Sequence, residues 1–154
     1  MSDDQVPIEA AVSRSRADRE GVRQAGASLD AALSRPGLPF PAQWAARVGE
    51  ATRHLGVAFE RHVRQAEGDD GMLNDITRTA PRLAHAVSQI ELEHQQILEA
   101  ISTLQAQTDA LDDSAQVPEI RESGLILLKS IAAHRYRGAD LAFEAYSVDI
   151  EAAD

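Results

Sequence analysis

The sequence predicts an all-α protein, an up-down-up-down antiparallel four-helix bundle. Three observations predict it. Apolar residues make up 44% of the 154 positions, dominated by Ala and Leu, and only 4% are aromatic; that mix favours helices over sheets. Helix-breaking residues gather in three places and leave four stretches of roughly 25 to 30 residues between them. Within those stretches apolar residues return every three or four positions, the period of one helix face. The length suits one domain with its own core, taken as residues 1–154.

The first stretch has the weakest stripe: Val12, Ser15, Arg19, Val22, Gly26, Leu29 and Leu33. Pro36, Gly37, Pro39 and Pro41 close it, because proline removes a backbone donor and clashes with the preceding turn. The second carries Trp44, Val48, Ala51, Leu55, Ala58 and His62, and stops at Gly68-Asp69-Asp70-Gly71, with Pro81 further on. The third is the most regular: Leu83, Val87, Ile90, His94, Ile97, Ile101, Leu104, Thr108 and Leu111. Asp112-Asp113-Ser114 and Pro118 separate it from the fourth, which runs Ile120, Gly124, Leu127, Ile131, His134, Gly138, Leu141 and Ala145. Short connections between such helices imply antiparallel neighbours. Tyr136, Phe143 and Tyr146 share one side of the last helix and are expected to pack, or else to form a partner-binding surface.

Several function classes are excluded at this point. A net charge of −10 argues against nucleic acid and anionic membranes, both of which need clustered Lys and Arg. No apolar run approaches the roughly 20 residues needed to span a bilayer. The acidic start, Met1-Ser2-Asp3-Asp4-Gln5, lacks the features of a signal peptide, so a cytoplasmic location is expected. With no cysteine, disulfides, thiolate metal sites and cysteine nucleophiles are out. There is no glycine-rich phosphate loop, His-Glu-x-x-His motif or Gly-x-Ser-x-Gly elbow.

The chemistry lies in what interrupts the apolar stripes. His62, His94 and His134 fall on the core-facing sides of three different helices. Burying an imidazole costs free energy unless its ring nitrogens find partners. A lone histidine on such a face is usually a satisfied core residue; three converging from three helices match the way bundles build metal sites. His94 and His134 stand equally far from the connection between the last two helices and should face each other. His62 is harder to level. It sits near the end of its helix, so either the third helix overhangs or residues 71–79 form an extra turn. Glu67 follows His62 by five positions and Asp140 follows His134 by six, spacings that serve one site only if the helix bulges. Gly68 and Gly138 would ease such a distortion. Glu91 and Glu93 flank His94 as ligands, as acceptors for a ring N–H, or as part of a solvated face. His54 and His85 belong on helix flanks.

The run Phe59-Glu-Arg-His62-Val-Arg-Gln-Ala-Glu67-Gly-Asp-Asp-Gly71 resembles the second-helix motif of hemerythrin-like (HHE cation-binding) proteins. Pro81 through Glu93-His94-Gln-Gln-Ile-Leu is similar to their third helix, and His134-Arg-Tyr-Arg-Gly-Ala-Asp140-Leu to their fourth. The resemblance covers roughly residues 16–150. It implies a non-haem iron centre, mono- or dinuclear, with His62, Glu67, His94, His134 and Asp140 as metal ligands. It also implies a binding protein for dioxygen, nitric oxide or iron. The chain departs from the family pattern in three places. No histidine precedes His54 and Arg19 holds a first-helix stripe position; Ile90 stands four before His94; Gly138 stands four after His134. A five-histidine, two-carboxylate centre cannot be assembled on these stripes, which places binding or sensing ahead of an oxidase or peroxidase. The alternative is a metal-free bundle serving as a protein-interaction module, with the Arg19 guanidinium turned inward among Glu67, Asp140 and Glu91. Imidazole and carboxylate donors suit iron, manganese or zinc.

Overall fold

The computed structural model describes the backbone of residues 5–151 and the side chains of residues 13–147. Among them there is no strand. The helices are α1 (Gln5–Ser34), α2 (Pro41–Glu67), a short α3 (Met72–Thr79), α4 (Ala84–Asp109) and α5 (Val117–Glu151). Their limits follow the breaks in the sequence. Pro41 opens α2 in its first turn, where a missing N–H removes no helical bond. The Gly68 N–H closes α2 on the Arg64 carbonyl at 3.0 Å. Gly71 is buried against the end of α2, where a β-carbon would lie 2.7 Å from the Gln65 carbonyl oxygen and run into that of Ala66. Before α5, Asp113 accepts from the Ala115 N–H at 2.9 Å while the Gln116 side chain accepts from the Asp113 N–H at 3.2 Å. That reciprocal cap satisfies donors a helix start otherwise leaves open.

The stripes become the core. Trp44, Val48, Ala51 and Leu55 of α2 are buried, as are Val87, Ile90, Ile97, Ile101 and Leu104 of α4, and Ile120, Leu127, Ile131, Leu141 and Ala145 of α5. On α1, Val22, Leu29 and Leu33 are buried and Arg19 is exposed; the Val12 side chain lies outside the described residues. The aromatic expectation for α5 is corrected: Tyr136 and Phe143 are 75% and 74% exposed, and Tyr146 is exposed as well. Tyr136 follows the inward His134 by two residues, about 200° around the helix, which turns it to the opposite side.

Four long helices pack in a ring, α1 on α2, α2 on α4, α4 on α5 and α5 back on α1. Close approaches give the register. A β-carbon at Gly26 would lie 3.7 Å from Leu128, and one at Gly124 2.6 Å from Leu33. Likewise Gly49 meets Thr108 and Gly56 meets Ile101. In each pair of helices one number rises as the other falls, which is compatible with the antiparallel order expected from the sequence. The levelling problem is resolved by the second of its two solutions, since α3 fills the space beyond the end of α2 with Leu73 and Ile76, both fully buried. The core is thereby divided. One apolar cluster reaches Phe59, Ile97 and Ile131; the other contains Ala66, Leu73, Ile76, Ile90 and Leu141. The three stripe histidines occupy the layer between them. No helix among the described residues is long and apolar enough to cross a membrane.

Candidate metal centre

Each histidine reaches this layer from regular helix. His62 stands on α2, one turn after the buried Phe59; His94 stands on α4 between Ile90 and Ile97; His134 stands on α5 three residues after Ile131. His94 and His134 are 1% and 4% exposed, and His62 is half-buried. Ring centroids lie 5.2 Å apart for His62 and His94, 5.6 Å for His62 and His134, and 4.7 Å for His94 and His134. One ring nitrogen from each falls within 4.8 Å of the others, so the three could hold a metal ion. Phe59 forms the floor, its ring centroid 5.4 to 6.0 Å from all three imidazoles.

Two carboxylates orient the rings from outside. His94 Nδ1 lies 2.6 Å from Glu67 Oε1, and His134 Nδ1 lies 2.9 Å from Glu93 Oε2. Glu93 also pairs with the Arg137 guanidinium. A carboxylate accepts, so each Nδ1 carries the proton and donates it, which leaves Nε2 of His94 and His134 as a lone pair. His94 Nε2 is buried with no hydrogen-bond partner. His134 Nε2 faces His62 Nε2 at 3.3 Å. Ring nitrogens converging in one layer, one of them unpartnered, make a site for a cation, and carboxylates on the far ring nitrogens are the usual supports of histidine ligands.

The electrostatics agree with neutral rings. Burial, then the proximity of His94, His134 and Arg19, pushes His62 down to about 4. Burial, then His134, pushes His94 down to about 4, against an opposing pull from Glu93. Partial burial raises the Glu67 carboxyl above its ordinary value.

Of the five expected ligands, the structure gathers His62, His94 and His134 into one group and does not bring the other two into it. Neither α2 near Glu67 nor α5 near Asp140 bulges. Five residues beyond His62, Glu67 is turned about 140° around the axis, away from the centre and toward the far side of the His94 ring. Asp140, six residues beyond His134, is turned about 240° and is exposed. Glu93 is the carboxylate that flanks His94 in sequence yet serves His134 in space. Glu91 is half-buried and enters no ion pair among the described residues; Arg19 is exposed and enters none either, so the inward cation of the metal-free alternative is not found. His54 and His85 are exposed, as expected for helix flanks. Sequence reasoning passed over Phe59, although its place three residues before His62 puts it on the same face, and Arg137, three after His134.

Compared with known protein families, with characterised proteins and with solved structures, the chain finds no match in any of the three.

Proposed function

We propose that the chain is a hemerythrin-like binding protein, an up-down-up-down antiparallel four-helix bundle holding one non-haem metal ion on Nε2 of His62, His94 and His134. The observation that carries this reading is the convergence of three imidazoles from three helices, two of them with Nδ1 anchored on a carboxylate. A metal ion gives the lone pair of His94 the partner that the protein does not supply, and would take the place of the hydrogen bond between His62 Nε2 and His134 Nε2. A single ion fits better than a bridged pair. Bridging needs carboxylate oxygens between two metals, whereas Glu67 and Glu93 are held on the outer side of their rings. Iron is the metal proposed, following the resemblance; imidazole donors accept zinc and manganese as well. Three protein ligands leave at least one position open, which is the requirement for a metal that binds or senses a small molecule such as dioxygen or nitric oxide.

The residues divide the work. The three histidines bind, Glu67 and Glu93 hold the ring protons and orientation, Phe59 keeps the inner side dry, and Arg137 fixes Glu93. Ferrous iron, zinc or manganese should raise the melting temperature of protein freed of metal, by adding about 2.7 kcal/mol of folding stability at a free concentration one hundred times the dissociation constant. His94→Ala should remain folded and lose that response. A melting curve indifferent to every metal would sink the reading.

A further inference from the structure

The three ligating helices leave one side of the bundle, and that side is α1. It contributes no ring nitrogen to the cluster. It does contribute a cation at the same level. Gly26 of α1 faces Leu128 of α5 at 3.7 Å, and the Leu33–Gly124 approach shows the two helices running oppositely there. Arg19 is seven residues before Gly26, about 10.5 Å along the axis, and His134 is six after Leu128, about 9 Å. Both steps lead toward the same end of the bundle, so Arg19 and His134 stand level. Seven residues is also two turns to within about 20°, so Arg19 shares the face by which Gly26 meets α5.

Two further observations concern that side. His62 is the least buried of the three histidines, so the layer opens to solvent beside it. No described carboxylate bonds its ring. Arg19 is exposed and unpaired among the described residues, since Glu20 is taken by Arg23 at 2.5 Å. A guanidinium beside an open metal position offers planar paired donors to whatever fills that position.

Resting on the metal reading above, we propose that Arg19 makes the α1 side of the His62–His94–His134 centre a binding position for a small planar oxyanion of the carboxylate or bicarbonate class, held between the metal ion and the guanidinium. An oxyanion gains a charge-assisted hydrogen bond from Arg19.

The test uses the full chain loaded with cobalt(II), whose visible absorption reports its ligands. Formate, planar and redox-inert, should change the wild-type spectrum saturably. Arg19→Gln should weaken the formate dissociation constant by about tenfold or more, the scale of one hydrogen bond to a charged group. Arg19→Lys should recover only part of the loss, because an ammonium lacks the paired donors. Imidazole, a neutral ligand for the same open position, should bind wild type and Arg19→Gln alike. Equal formate affinity in wild type and Arg19→Gln, or a wild-type cobalt spectrum indifferent to formate, would overturn this proposal alone. Failure of wild type to take up cobalt would overturn the metal reading and this proposal with it.

Discussion

Acid should unfold the metal-free protein well before its carboxylates protonate, and the histidine layer sets the size of the effect. His62 and His94 each stand at about 4 in the fold, against an ordinary value of 6.5. In the unfolded chain they take up protons as pH drops below 6.5; in the folded protein they do not. The stability they permit is therefore fully present above pH 6.5 and is lost as pH falls toward 4. Between pH 7.5 and 5 the linkage comes to about 2 kcal/mol if one of the two interacting rings stays neutral, and about 4 kcal/mol if both do. Glu67 opposes this change, because burial raises its pKa and acid relieves that cost. Most carboxylates remain ionised at pH 5, which keeps the window specific to the histidines. Urea unfolding with a chelator present, followed by circular dichroism at both pH values, measures the difference. Equal unfolding free energies at pH 7.5 and 5 would refute the burial of neutral imidazoles.

Other expectations follow from single contacts. Glu93→Gln keeps the shape beside His134 but loses the anionic acceptor, and should weaken metal binding about 10- to 100-fold in competition with a chromophoric chelator. Gly71→Ala would press a β-carbon onto the carbonyls that end α2, and should cost about 1 to 3 kcal/mol in urea unfolding; a neutral result would contradict the seating of α3. Tyr146 donates to Asp75 at 2.9 Å and its phenol is pushed up to about 12 by burial and that carboxylate. Ultraviolet titration should find it protonated well into the alkaline range, with Asp75→Asn bringing its ionisation down.

The helices were legible because their core faces are long and regular: nine successive stripe positions from Leu83 to Leu111, seven of them on α4, predict one buried face, and eight of the nine are buried, with Leu111 half-buried. The three histidines were legible for the same reason, as polar interruptions of stripes whose direction was already known. Carboxylates were harder. Spacing within one helix says which residues share a face, but Glu67 serves His94 and Glu93 serves His134 across helix pairs, where the relative rotation of helices decides. Asp140 resembled a ligand by its nearness to His134 in sequence, and a regular α5 turns it to solvent. Residues 72–79 offered too short a segment to choose between an overhanging α4 and an extra turn. The fully buried Leu73 and Ile76 carry that choice, by filling the end of the bundle. Tyr136 and Phe143 share one side of α5, as their spacing says, but that side is out of phase with the buried Ile131–His134–Leu141 face, so the packing expected of them is not found.

The central claim is that three imidazoles hold one metal ion, and the number of ions bound per chain tests it most directly. Anaerobic titration of metal-freed protein with ferrous iron should saturate at one ion per chain, and His62→Ala, His94→Ala and His134→Ala should each abolish tight uptake. Saturation at two ions would point to a bridged centre that these carboxylates do not form, and no saturable uptake by the wild-type chain would contradict the account outright.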